Sequence, residues 1–257
     1  MENNTTGLIS RGLGRRVPPD WEHVNNFPLR ALGRSTIANV ESTLILPTWV
    51  AEHDQGSEGA CVGFGTSMML AIINENQCRN QGAQGVNIRY NPWWLWNQAK
   101  MRDPFADTNP GDHNGTTVRA ACEVLRDLGH VLWNIENPTC VDNCTPDLNF
   151  GVSAFRWATS VDEVRTAIGT NSPLSIGVNW YSGFDSPEEK NGEAWITSFG
   201  YQRGGHCVCV YAASDKRQAI GFVNSWGRNY PRLTWVSYAD FDRLIREEGE
   251  IAVVTDR

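Results

Sequence analysis

The stretch HDQGSEGACVGFGTSMML, residues 53–70, sets Cys61 behind a loop of glycine and small side chains, at the first turn of a segment with helical periodicity. A helix N-terminus presents unpaired N–H groups and the positive end of the helix dipole, and both favour thiolate over thiol. With an imidazolium nearby, such a position takes a thiol from about 8.5 to about 3.5–7.5. Gly56, Gly59 and Ala60 leave the sulfur open to a substrate backbone, and Gln55 offers an amide donor for an oxyanion. Two later segments supply partners: His206 in GGHCVCVY and Asn224 in FVNSWG, 145 and 163 residues after the cysteine. The pattern predicts imidazole Nδ1 sharing the thiol proton while the Asn224 side-chain oxygen orients the ring. Glu58, three residues before Cys61, reads either as a solvated loop carboxylate or as a charge that raises the thiol pKa or selects a cationic substrate group.

Helices and strands must carry these groups. Val62, Phe64, Met68, Met69, Ile72 and Ile73 recur at helical spacing and predict a helix over 61–77 that buries one face. NPWWLWNQAK predicts a second helix, capped by Asn91 with Pro92 in the first turn. A third follows Gly115, with Thr116 or Thr117 as cap, and ends at Gly129. After about residue 150 the pattern changes to short β-branched and aromatic runs, PLSIGVNW, GHCVCVYAAS, QAIGFVNSW and RLTWVSY, interrupted by one helix around 161–168. Helices first and strands later indicate an α+β chain, with a helical lobe over about 50–150, a β lobe over about 151–257 and a cleft between them.

Composition excludes several classes. A chain of 257 residues with 40% hydrophobic residues buries a full core, so disorder is not the default. A net charge of −7 and the absence of a basic run argue against a nucleic-acid partner. No segment reads as a signal-peptide core or a membrane span, which predicts a soluble protein, cytoplasmic or associated with a virus or phage. Oligomeric state is not readable.

The three motifs DQGSEGAC, GGHCVCV and NSWG, in this order, resemble those of the papain-like cysteine peptidases, in particular their divergent bacterial and phage-type members. The resemblance runs from about Leu46 to Tyr238. It implies the two-lobed papain-like fold, with Cys61 as nucleophile, His206 and Asn224 on the β lobe, Gln55 with the Cys61 backbone N–H as oxyanion hole, and Trp226 shielding the His–Asn hydrogen bond. It implies peptide-bond hydrolysis through an acyl-enzyme, on a peptide or protein substrate, with no cofactor and no metal. An acyltransferase or isopeptide hydrolase with the same triad, and a non-catalytic binding protein on the same fold, are the other readings. The chain departs from the family pattern at Glu58, where a cysteine is usual, and at Val62, where an aromatic residue is common. GDHNGTT, with Gly115, stands in for the glycine-rich substrate-pairing segment. Gly177 and Gly205 join Gly115 and Glu58 as candidate substrate contacts.

Residues 1–45 read as a separate N-terminal arm before a peptidase domain over 46–257. Pro18, Pro19 and Pro28 interrupt any long helix, so the expectation is an arm without the long helical pro-segment of the family. The expectation is an arm clamped across the outside of the two lobes, leaving the cleft open. The odd count of seven cysteines fits reduced thiols. Cys78, Cys122, Cys207 and Cys209 read as core, and Cys140 and Cys144 as loop thiols in preference to half a metal site. His23, His53, His113 and His130 read as surface or capping residues, and Trp93, Trp94 and Trp96 as packing.

Overall fold

The computed structural model describes residues 11–25, 28–29, 39–83, 88–105, 115–133 and 144–257, so His113 and Cys140 lie outside the described residues. The helical half comprises α1 (Cys61–Asn80), α2 (Pro92–Lys100) and α3 (Val118–Asp127). The capping signals act as the sequence predicts. Asn91 Oδ1 accepts from Trp93 N and Trp94 N at 3.1 and 3.2 Å, and Thr117 Oγ1 accepts from Ala120 N at 3.1 Å. Gly129 ends the α3 segment with φ +81°.

The other half is a sheet, with β1 (Glu41–Thr43), β2 (Val152–Trp157), β3 (Leu174–Tyr181), β4 (Glu188–Lys190), β5 (Glu193–Trp195), β6 (Gln202–Ser214), β7 (Ala219–Val223), β8 (Thr234–Ser237) and β9 (Glu250–Asp256). Their order is β2-β9-β3-β6-β7-β8-β5-β4, and β1 pairs with the far end of β6. All pairings between these strands are antiparallel except β5 with β8. Two further helices, α4 (Val161–Gly169) and α5 (Tyr238–Arg246), pack on this half. The α+β division into a helical part and a largely antiparallel part is therefore correct. The sequence reading passed over α5 and the strands β1, β2, β4, β5 and β9.

Helix α1 is buried on nearly every side rather than along one face, because α2 and α3 cover it on one side and β3 and β6 on the other. Its glycines make that sandwich possible. A Cβ on Gly65 would lie 2.7 Å from Cys207 Sγ, and one on Gly63 would lie 2.2 Å from the Pro92 carbonyl oxygen and 2.8 Å from Trp96 Cβ. The helix thus touches both neighbours with its backbone, two and four positions after Cys61.

The described cysteines divide into five free thiols, Cys61, Cys78, Cys122, Cys207 and Cys209, and Cys144, which is disulfide-bonded. The expectation of reduced thiols throughout fails at Cys144, and a disulfide sulfur is no metal ligand. His53 and His130 are buried, not surface residues. His130 Nε2 lies 2.8 Å from Ser67 Oγ, its Nδ1 accepts from Val131 N, and its ring stacks on Tyr90. No described helix is long and apolar enough to cross a membrane.

Gly63→Ala would gain about 1 kcal/mol of helix propensity, but it drives a methyl group into a backbone carbonyl that cannot rotate away. Overpacking of this kind costs about 1–3 kcal/mol or more. The variant is expected to unfold at a lower urea midpoint than the parent, and an unchanged midpoint would show that α1 and α2 can separate freely.

Candidate active site

Cys61 opens α1 behind Ala60, which provides no side-chain cap, so the helix end is left to backbone groups and to whatever approaches it. His206 lies within β6, opposite Val178 of β3, and Asn224 follows directly on β7. The His206 Nε2 to Asn224 Oδ1 distance is 2.8 Å. This leaves Nδ1 on the other side of the ring, buried and without a partner. Trp226 covers the pair at a ring-centroid distance of 5.0 Å from His206, and Trp180 meets the same imidazole edge-on at 4.5 Å. The two indoles also contact each other at 5.3 Å. A hydrogen bond so enclosed is sheltered from competing water.

Gln55 is tied to the same strand end. Its backbone N–H donates to the Ser225 carbonyl at 3.0 Å, and the Ser225 hydroxyl donates to Gln55 Oε1 at 2.6 Å. With its oxygen held, the Gln55 amide must direct Nε2 elsewhere. Nε2 donates to the carbonyls of Glu58 at 2.8 Å and Gly12 at 3.2 Å. Ser225 also donates its backbone N–H to Asn224 Oδ1 at 2.8 Å. One residue thereby orients both side chains. The sequence analysis passed over Ser225 although it sits inside the quoted NSWG.

The expectation for the N-terminal arm is overturned. Residues 11–16 run through the cleft and not across its outside. Gly12 N donates to Gly56 O at 3.0 Å, Gly14 N and Arg15 N donate to Gly205 O at 3.1 and 3.0 Å, Arg16 N donates to Thr116 O at 2.9 Å, and Thr116 N returns a bond to Gly14 O at 2.8 Å. Arg11 pairs with Asp54 at 2.7 Å at one end. Residues 11–16 carry no helix and form an extended strap. Alternating glycines are what let RGLGRR lie so close: a Cβ on Gly12 or Gly14 would lie 2.1 Å from Glu58 O or 1.9 Å from Gly59 O.

All four candidate substrate contacts adjoin this strap. Gly115 would meet the Gly14 carbonyl, Gly205 the Arg15 carbonyl, and Gly177 the Arg15 side chain, if any of the three carried a Cβ. Glu58 contributes its backbone carbonyl to Gln55 and lies under Gly12. Residues 111–114 of the GDHNGTT segment lie outside the described residues.

The strap changes the electrostatics of the site. Cys61 is 0% exposed, and burial pushes its thiol up to about 12, with backbone amides of Cys207, Gly14, Val62 and Arg15 opposing. Burial likewise pulls His206 down to about 4, against the Asn224 hydrogen bond and with the Arg203 charge adding to the fall. The depressed thiol expected from the helix end is therefore not the state of the covered protein, which holds a neutral thiol and a neutral imidazole. Among the described residues no cluster of His, Cys, Asp or Glu could hold a metal ion.

No protein-family model matches the chain, and no curated protein matches it in sequence. Solved structures match its fold. Xylellain, a cysteine protease from Xylella fastidiosa, aligns over 96% of both chains with a TM-score of 0.63 and 15% identity. Digestive procathepsin L 3 of Tenebrio molitor aligns over 96% of this chain and 76% of its own, with a TM-score of 0.61 and 12% identity. The Carica candamarcensis cysteine protease CMS1MS2, solved in complex with E-64, covers 80% of this chain and 92% of its own, with a TM-score of 0.59 and 13% identity. The chain has the papain-like cysteine-protease fold.

Three buried neutral histidines set an acid limit. Burial among Trp49, Phe64 and Trp133, with the Arg89 charge adding, pulls His53 down to about 3, burial alone pulls His130 to about 3, and His206 stands at about 4. Below pH 6.5 the unfolded chain binds protons that the folded chain refuses, so stability falls as pH falls. Above pH 9 the sign reverses, because the unfolded chain loses the thiol proton that folded Cys61 keeps up to about 12. Tm is expected to be flat between about pH 6.5 and 9, falling on both sides. A Tm that stays level down to pH 4 would contradict the buried neutral imidazoles.

Proposed function

We propose that the protein is a thiol-dependent peptidase. The observation that carries this reading is the 2.8 Å bond between His206 Nε2 and Asn224 Oδ1 beneath Trp226, which leaves His206 Nδ1 as the ring's one uncommitted nitrogen in a fold whose solved examples include cysteine proteases. In this reading the strap has left the cleft and a peptide substrate takes its place. Cys61 gives its proton to His206 Nδ1, and the sulfur attacks the scissile carbonyl carbon. Gln55 Nε2 and the Cys61 backbone N–H donate to the oxyanion. The tetrahedral intermediate collapses, its C–N bond breaks, and His206 hands the proton to the departing amine. Water, deprotonated by the same imidazole, then cleaves the thioester and returns the free thiol.

Asn224 keeps the ring in the tautomer with Nε2 protonated, and the two tryptophans keep water from that bond. Ser225 serves Gln55 as Asn224 serves His206: it fixes the acceptor end of the amide so that the donor end points into the cleft.

Exposure of a chain whose strap is displaced by Gly12→Ala and Gly14→Ala, substitutions that would clash with the Glu58 and Gly59 carbonyls, to an epoxysuccinyl probe, followed by mapping of the modified residue, tests the assignment. Cys61 is expected to be modified ahead of the four other described free thiols, and Cys61→Ala to abolish both labelling and peptide hydrolysis. His206→Ala is expected to lower kcat by about 10²–10⁴ and Gln55→Ala by about 10²–10³. Asn224→Ala and Trp226→Ala should both cost less than His206→Ala, since they act only through the ring. Hydrolysis that survives in folded Cys61→Ala would end the reading.

A further inference from the structure

Cys207 is the second thiol at the contact between α1 and β6. A Cβ on Gly65 would lie 2.7 Å from its sulfur, and Cys61 stands four residues before Gly65, one turn away on the same face of the helix. The backbone of residue 207 reaches the other sulfur. Burial raises the Cys61 thiol, and of the backbone amides that hydrogen-bond its sulfur and oppose the rise, that of Cys207 contributes most. The amide thus meets Cys61 while the side chain lies against the turn of α1 that follows. A sulfur held on a neighbour's backbone amide keeps the two Cα atoms about one side chain apart, the separation of about 4.4–6.8 Å that a disulfide spans. Both residues are 0% exposed, and both thiols are free.

The surroundings of the Cys207 sulfur fit it for attack. Ser175 of β3 stands opposite Cys209 in register, yet its hydroxyl lies 3.4 Å from Cys207 Sγ and 2.8 Å from the Thr66 hydroxyl of α1. All three side chains are buried. Burial and the nearby Cys61 sulfur raise the Cys207 thiol, and the Ser175 hydroxyl opposes them by supporting charge on the sulfur. Cys209, two residues along the same strand face, turns its sulfur to the Val210 carbonyl at 3.8 Å instead. We propose that Cys207 is the partner of Cys61 in a reversible disulfide, a modification site for peroxides. The Cys61 sulfur takes one oxygen from hydrogen peroxide as the O–O bond breaks: the sulfur is oxidised to a sulfenic acid and the peroxide is reduced to water. The Cys207 sulfur then attacks the Cys61 sulfur. The S–S bond forms, the S–O bond breaks, and hydroxide leaves with the Cys207 proton as a second water. A thiol reductant restores both cysteines. Deprived of Cys207, the sulfenic acid continues to sulfinic and sulfonic acids, from which a thiol reductant does not return it. No hydrolytic step enters, so the disulfide stands or falls apart from the peptidase reading.

Peptide mapping reads the bond directly. In full-length protein carrying Cys78→Ala and Cys209→Ala, the tryptic segments 35–79 and 204–216 each keep one cysteine, Cys61 and Cys207. Gly12→Ala and Gly14→Ala are added to uncover the sulfur, or omitted if that chain does not fold. Hydrogen peroxide is expected to join the two segments in a linked peptide that dithiothreitol separates, and iodoacetamide labelling of Cys61 is expected to return in full after reduction. Adding Cys207→Ala is expected to abolish the linked peptide and to cut the labelling recovered after reduction about tenfold or more. If Cys207→Ala does not fold, Cys207→Ser keeps the Ser175 contact and serves the same comparison. Ser175→Ala is expected to slow linkage about tenfold, the worth of one hydrogen bond to a charged sulfur, and an unchanged rate would overturn the part given to Ser175. Peroxide that drives Cys61 to sulfinic acid without a linked peptide, or that leaves Cys61 unoxidised, would overturn the disulfide. So would full recovery of labelling in folded Cys207→Ala.

Discussion

The close approach of α1 to β6 is the constraint on which the rest of the site depends. Gly65 brings the helix backbone against Cys207, the neighbour of His206, and four residues before Gly65 the helix begins at Cys61. Since β6 is fixed in register between β3 and β7, the position of the imidazole is set by the sheet and that of the thiol by the helix. The glycine contact relates the two. A larger residue at the contact would move a rigid helix as a body, and with it the sulfur at its end, because a packed interior has no slack to absorb a methyl group locally.

A second tie crosses from one half to the other through loops rather than regular elements. Asp54 bridges to Trp226, Gly227 N donates to the His53 carbonyl at 2.8 Å, and Gln55 and Ser225 bond through both backbone and side chain. These bonds place the Gln55 amide and the asparagine that meets the imidazole on one short zipper. Backbone hydrogen bonds between two loops make the loops as definite as a pair of strands, and this explains how groups on irregular segments keep a fixed mutual geometry. Trp180 and Trp226 complete the arrangement by keeping water from the His206–Asn224 bond, where exchange with solvent would otherwise cancel most of its worth.

Local signals were readable and long-range ones were not. Asn91 with Pro92, Thr117 and Gly129 are caps whose reach is three or four residues, and the structure uses each as the spacing implies. The candidate residues Gln55, Cys61, His206 and Asn224 could be singled out for the same reason, since each lies in a short context with its own chemistry. The buried pair of Glu250 with Arg15 could not: an acid opening the run EIAVV near the end of the chain looks like a solvated strand edge until its partner, 235 positions earlier, is known. The strap failed for a related reason. RGLGRR itself contains no proline, and nothing local in it says which surface its extended backbone will follow. The glycines that allow it to lie against Glu58 and Gly59 were the available sign.

The covered protein and the open one differ in more than access. With residues 12–16 in place, the thiol is dehydrated and its proton is held up to about 12, while the imidazole is pulled down to about 4. Both groups are neutral, and a neutral thiol is a poor nucleophile. In the proposed peptidase, displacing the strap would readmit water to the sulfur, and the desolvation that favours the neutral pair would fall away while the amides at the start of α1 remain. A single short segment therefore couples two properties, cover of the cleft and the protonation of the thiol. It does so through Gly14 and Arg15, adjacent residues whose amides share one acceptor on the strand that carries His206.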